Sequence, residues 1–242
     1  MVFNDTTTKA GIIQAIERKI FSADYGRITG NALNMATFVA YINTAMDYVN
    51  QFVLRNDSTW QWDDTNQTTK PEALITMVNN QRDYAIPNTV LYINTVSIQD
   101  KRGDYQILNP IDWRGIKVDK SEFLEESGVP QYYEKVGQTL TLYPAPLATQ
   151  VTVVNGIKIV HQRQPVYFVS TDTTKEPGIP QTYHNLIVLW ASYFYCTDNL
   201  VSGKIATVTG EIKLEEDALM YHFLNRQQDV TPHISRAYTD WS

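Results

Sequence analysis

Apolar positions in the first sixty residues recur at helical spacing. Ile12, Ile13, Ile16, Ile20 and Phe21 fall on one helix face, and a loop carrying Gly26 and Gly30 ends the pattern. A longer stripe of Phe38, Val39, Ile42, Met46, Val49, Phe52 and Val53 predicts a second helix, with Asn34 or Thr37 available as its N-cap. Two apolar stripes this close in sequence predict helices that pack on each other.

The period then falls from about 3.6 to 2, the signature of strands. Leu74, Thr76 and Val78, then Leu91, Ile93 and Thr95, then Leu140 and Leu142, Val151 and Val153, and Ile157 and Ile159 predict short antiparallel strands. Pro87, Pro110, Pro130, Pro144 and Pro146 mark the turns, because proline lacks the ladder's N–H donor. One irregular or briefly helical insert is expected near Ile111 to Asp119. Asn155-Gly156 is the strongest local two-residue hairpin signal. A bent strand running on through a bulge places Val151, Val153, Ile157 and Ile159 on one face equally well, so parity leaves both readings open.

After Thr173 to Pro180 the helical period returns, with Pro at a first helical position. Tyr183, Leu186, Ile187, Trp190 and Phe194 make one stripe, with His184 expected to face a neighbour or solvent. Gly203 and its Thr-rich surroundings lead into a last helix with Ile205, Val208, Ile212, Leu219 and Phe223 inward. Glu211, Glu215, Glu216 and Asp217 are expected to be solvated. The stretch from Asp229 to Ser242 has no period and lacks the apolar density to pack alone, so it is either frayed or docked on a partner. The layout is α+β: residues 1–58 and 178–228 supply one helical bundle, residues 59–177 an inserted, small antiparallel β-domain, and residues 229–242 an extended tail.

Composition supports folding and narrows the partners. With 242 residues, 43% hydrophobic and 19% charged, the chain can build one or two compact domains. Its net charge of −6 opposes free binding to nucleic acid or anionic lipid. The lone Cys196 excludes an internal disulfide framework. Val2 to Thr8 does not read as a signal peptide, so a cytosol-made chain is expected. Leu186 to Cys196 is too short for a membrane span, and no membrane partner is expected. Fifteen tyrosines suit either protein interfaces or half-buried strands.

Residues for chemistry are present but not arranged for it. His161, His184, His222 and His233 lack metal-ligand spacing and read as surface or boundary residues, so no metal site is expected. There is no nucleophile elbow, and Cys196 in an aromatic helical run reads as inert packing. Asp63-Asp64 and Glu125-Glu126 are adjacent in sequence, which on an extended chain points them apart. No phosphate-cradling glycine loop occurs, and Lys9, Arg18, Lys19 and Arg27 are too dispersed to form a basic patch. No cofactor and no enzyme activity are expected.

In chain order, Tyr41-Ile42-Asn43-Thr44-Ala45-Met46 is similar to an Ile-Asn-x-Ala helical element, and it is followed by Thr59-Trp60-Gln61-Trp62-Asp63-Asp64. Gln81-Arg82-Asp83-Tyr84-Ala85-Ile86-Pro87 is similar to a Tyr-x-Leu-Pro strand-turn. Gly128 to Tyr133, Leu140 to Pro146, and Pro177-Gly178-Ile179-Pro180 ahead of an aromatic helix complete the series. In this order and spacing, over roughly residues 9 to 200, the chain resembles the head-to-tail adaptor proteins of tailed bacteriophages.

The resemblance implies a virion structural protein made in the host cytoplasm and built into a ring, commonly of twelve copies, beneath the portal. Its partners would be the portal protein, a tail or nozzle protein, and further copies of itself, with double-stranded DNA passing non-specifically through the lumen. Twelve copies would carry about 12 × −6 = −72 charges, repelling the DNA backbone and letting it slide. Tyr238, Trp241 and Pro232 of the tail are the candidates for a portal interface, since aromatic anchors are usual hot spots. Trp60, Trp62 and Tyr84 are candidates for a subunit interface, with core packing the alternative. Another tail ring, nozzle or tail-completion subunit shares the same physics, whereas a carbohydrate-binding module would usually be all-β.

Overall fold

The computed structural model describes residues 1–56, 71–112 and 126–226. The chain divides into two compact units, residues 1–60 with 166–242, and residues 61–165. The fold is α+β.

Four helices are described in the first unit: α1 (Ile12–Phe21), α2 (Ala32–Asn56), α3 (His184–Asp198) and α4 (Ser202–Arg226). Helix α3 packs against each of the others. Leu186, Ile187, Val188, Leu189, Ala191, Ser192 and Cys196 are buried along it, so of the predicted stripe Leu186 and Ile187 lie inward while Trp190 and Phe194 are on its less buried side. A helix apolar nearly all round belongs at the centre of a unit. Burying each large aliphatic side chain stabilises by about 1.5–3 kcal/mol.

Helix α1 is also covered on almost every side, including Gln14 and Glu17. The preceding residues close its first turn. Ile12 N–H donates to Val2 O at 2.9 Å and Ile13 N–H to Phe3 O at 3.1 Å, satisfying donors that a helix start leaves unpaired. Gln14 is held from both ends, receiving Asp5 N–H at 2.9 Å and donating to Asn4 Oδ1 at 2.7 Å. Phe3 stacks on Phe168 at 4.7 Å. Phe168 in turn exchanges hydrogen bonds with Asn43 of α2, at 2.9 and 3.0 Å.

Three expectations are corrected here. The cap of α2 is Asn31, whose Oδ1 accepts from Leu33 N–H and Asn34 N–H at 2.9 and 3.2 Å, so the helix starts before Asn34. Glu211, Glu215 and Glu216 are half-buried and engaged: Glu211 pairs with Lys19, Glu215 accepts from Asn185 at 3.0 Å, and Glu216 from the Trp190 indole at 3.3 Å. His184 does not face solvent; of the two expected surroundings it has neighbours within its own chain. It is 0% exposed, with Nε2 against Ile179 O at 2.9 Å and Nδ1 against the Met1 nitrogen at 2.5 Å. Its place at the start of a helix that packs on three others leaves it no open side.

The second unit holds β1 (Glu72–Ile75), β2 (Asp83–Ala85), β3 (Val90–Gln99), β4 (Tyr105–Ile107), β5 (Asn109–Pro110), β6 (Ser127–Gly128), β7 (Tyr132–Val136), β8 (Thr139–Tyr143), β9 (Ala145–Pro146) and β10 (Ile157–Arg163). One antiparallel sheet has the order β1-β10-β3-β4, and a second runs β2-β8-β7-β5. Their shared core includes Tyr84, Val96, Ile98, Leu108, Leu140, Leu142, Val151, Ile157 and Ile159.

The β-domain is not wholly antiparallel, because β5 with β7 and β6 with β9 pair in parallel. Parallel neighbours need a long connection. The stretch from Ile111 to Gln131 supplies the first, and the β7–β8 hairpin lies between β6 and β9. That hairpin turns on Gly137-Gln138, with Gly137 at φ 58°, a conformation in which glycine carries no Cβ penalty. Asn155-Gly156 is not a hairpin. Asp100 bridges Val151 while Ile98 pairs with Ile157, and Gln99 bonds both Thr152 N–H (2.9 Å) and Gly156 O (2.8 Å). One line of chain thus runs along β3 and bulges out over residues 152–156, which is the bent-strand reading. From residue 113 onward the expected irregular insert lies outside the described residues.

Candidate assembly surfaces

Five of the six predicted contact residues, Trp60, Trp62, Pro232, Tyr238 and Trp241, lie outside the described residues. The sixth, Tyr84, is 3% exposed in the β-unit core. Its hydroxyl donates to Gln81 O at 2.8 Å and accepts from Val78 N–H at 3.2 Å, and burial raises its phenol pKa. This is the core-packing alternative.

The described residues bring together no group of three His, Cys, Asp or Glu side chains able to hold a metal ion. His161, expected at a surface or boundary, is 5% exposed; like His184, it has its pKa lowered chiefly by burial, which disfavours the imidazolium. The Cys196 thiol is buried and its pKa raised for the same reason, so the reactive thiolate is disfavoured. Of the other acidic pairs, Asp63, Asp64 and Glu125 lie outside the described residues, as does His233. No described helix is long and apolar enough to cross a membrane.

What the helical unit presents instead is a continuous run of aromatic rings between α2 and α3. Phe38 stacks on Tyr195 at 5.0 Å, and Phe21 sits edge-on to both, at 6.2 and 5.4 Å. The run passes through Tyr41 to Phe194 (6.4 Å), and from Phe194 to Tyr48 (5.4 Å) and Trp190 (5.7 Å). Tyr41 donates to Asp198 at 2.6 Å; burial, together with that carboxylate, pushes its phenol up to about 12. Tyr48 is 47% exposed. The sequence reading has Tyr41 only as part of the Ile-Asn-x-Ala element and does not single out Tyr48, although their seven-residue spacing puts them on one helix face.

Helix α4 carries a second apolar stripe pointing away from its own unit. Leu214 and Tyr221 are 71% and 68% exposed, and Leu224 and Gly210 share that side. Nothing lies within 4 Å of the space a side chain at Gly210 would fill. In the β-unit the register aligns Leu74, Lys158, Ser97 and Ile107 across one sheet face, with Leu74 and Ile107 exposed at opposite edges. Lys158 pairs with Glu72 at 3.1 Å. Apolar side chains exposed in series on a helix and a sheet are a feature of surfaces that meet other proteins.

No curated protein matches the chain. A family model does, that of the SU10 adaptor protein, over residues 7–229, a span that contains every described helix and strand. Matched over nearly its whole length, the chain belongs to the SU10 adaptor family of phage head-to-tail adaptors, structural proteins placed at the portal vertex of the virion.

Proposed function

We propose that this chain forms a closed ring, commonly of twelve copies, that joins the portal protein to the tail or nozzle and surrounds the DNA exit channel. The helices from both chain ends act as one bundle carrying the inserted β-domain. The family match carries this reading. The outward stripe of α4 and the aromatic run of α2 and α3 add physical support, because a ring needs two different patches on each subunit that fit one another. The acidic net charge suits a lumen along which DNA slides without sticking. The ring is assembled in the host cytoplasm, and the residues after Asp229, with Pro232, Tyr238 and Trp241, anchor it to the portal.

A reconstruction of the portal vertex from purified particles, computed without imposed symmetry, tests the ring. Copies encircling the channel between portal and tail are expected, and their absence there, or a position at the distal tail tip, overturns the reading. Truncation after Asp229 is expected to leave the fold intact and abolish docking on portals; normal docking of the truncated chain sinks the anchor.

A further inference from the structure

The loop between α1 and α2 is built around a buried carboxylate. Glu17 is 0% exposed, and its Oε1 accepts the N–H groups of Gly26 at 3.0 Å and Ile28 at 2.8 Å. Those two residues flank Arg27, so the clasp fixes the backbone from which the guanidinium projects. Asn34 Nδ2 adds a bond to Arg27 O at 2.9 Å. Arg27, Asn34, Phe21, Phe38 and Tyr195 together line a pocket of ≈ 240 Å³. Three of its walls are aromatic rings in mutual contact, and the guanidinium lies 5.9 Å over the Phe21 ring.

This chemistry selects a planar apolar group with negative charge beside it. Aromatic walls favour an aromatic guest, and a guanidinium favours a carboxylate. Asp24 already sits 3.0 Å from Arg27, but both side chains are nearly two-thirds exposed (63% and 64%), where such a pair is worth little and is readily exchanged. A second cation, Lys9, lies over the ring of Tyr25 in the same loop at 5.7 Å.

The chain itself carries a matching sequence. Trp60-Gln61-Trp62-Asp63-Asp64 places two indoles directly before two carboxylates. A copy's own indoles fall short of its own pocket, and its own carboxylates would reach the pocket's near edge only with the chain fully extended. From Asn56, where α2 ends, back to Phe38 and Asn34 the helix runs roughly 27 to 33 Å at about 1.5 Å per residue. From Asn56 forward the chain spans at most about 22 Å to Trp62 and about 29 Å to Asp64, and only at full extension back along α2. We propose that the Phe21–Arg27–Phe38–Tyr195 pocket is a docking site for the Trp60–Asp64 stretch of a second copy, joining neighbours in the assembly. The proposal rests on the ring reading for the identity of the occupant and gives Trp60 and Trp62 a specific receptor.

The test is a charge swap. A fluorescently labelled peptide of residues 58–66 is titrated into the full chain and followed by anisotropy, with circular dichroism confirming that each variant is folded. Saturable binding is expected, weakened at least tenfold by Arg27→Glu, which changes an exposed side chain. A peptide with Lys in place of Asp63 and Asp64 is expected to regain binding to that variant. No saturable binding, or equal binding to the wild-type chain and Arg27→Glu, overturns the docking site. Rings that form unchanged with Arg27→Glu also overturn it and leave the ring reading standing. Charge-dependent peptide binding by a chain that encircles no channel overturns the ring and leaves the pocket's recognition in place.

Discussion

Replacing Glu17 by Ala should destabilise the helical unit far more than replacing it by Gln. The carboxylate accepts two backbone N–H groups, and Ile28, which supplies one of them, is 0% exposed. With Ala that buried donor has no partner, a loss of about 1–3 kcal/mol. The partly exposed Gly26 donor adds up to about 1 kcal/mol, since water can replace its acceptor. The loop also holds Ser22 and Ala23 at φ 55° and 66°, a left-handed conformation that costs roughly 1–2 kcal/mol per residue and persists only while its surroundings enforce it. A total of about 1–4 kcal/mol follows for Glu17→Ala. Gln keeps the acceptor at the same reach and places an amide where Glu17 Oε2 has no partner, so its cost should stay below about 1 kcal/mol. With a urea m-value near 2 kcal/mol/M, the midpoint should fall by about 0.5–2 M for Ala and by less than about 0.5 M for Gln. Nuclear magnetic resonance of the Ile28 methyl group reports the unfolding of this unit, and hydrogen exchange of the Gly26 and Ile28 amides reports the clasp itself. Equal midpoints for the two variants, or unchanged Ile28 exchange in Glu17→Ala, would refute the reasoning.

In the β-unit, a Cβ at Gly156 would lie 1.8 Å from Thr152 O and 2.5 Å from Met77 Cε. Gly156→Ala must push the bulge off β3 and should cost about 2–3 kcal/mol, read as a lowered urea midpoint for the Ile157 and Ile159 methyl signals; an unchanged midpoint sinks it. Acid should weaken the fold through its two buried imidazoles. The pKa values of His161 and His184 are lowered from the ordinary 6.5 in the folded chain, so the unfolded chain binds protons first as pH falls. Their contribution is complete above about pH 6.5 and is lost below it, at up to about 1.4 kcal/mol per pH unit for each. Urea midpoints between pH 7 and 5.5 should therefore drop, and His161→Gln should flatten part of that slope; a slope identical to wild type would exclude His161 as a source.

Helix existence was legible because it rests on local period. Ile12 to Phe21, the Phe38 to Val53 stripe and the Val208 to Phe223 stripe each carry their burial pattern in a few consecutive turns, and the strands around Leu140 and Ile157 do so in alternation, whereas the strand around Leu91 exists but leaves Leu91 exposed and Ile93 buried. The Gly137-Gln138 turn, which the sequence reading does not contain, carries a weaker local signal than Asn155-Gly156, whose hairpin potential the pairing along β3 overrides. The order of motifs along the chain also pointed to the adaptor family.

Burial of polar groups was not legible, because it depends on residues distant in sequence. Nothing near Glu17 announces that its carboxylate closes a loop, and nothing near His184 announces that Met1 and Ile179 lie against its ring. Phe3 reads as part of a polar leader until Phe168 stacks on it. The aromatic pocket is likewise a product of packing, its walls coming from α1, the following loop, α2 and α3. The sequence by itself determined which stretches are helix or strand, because those choices are decided by neighbours within a turn or two. Tertiary structure alone decided which charges are buried, which strands run parallel and which rings converge, because these depend on contacts whose partners lie beyond the next helical turns, from about ten to more than a hundred residues apart.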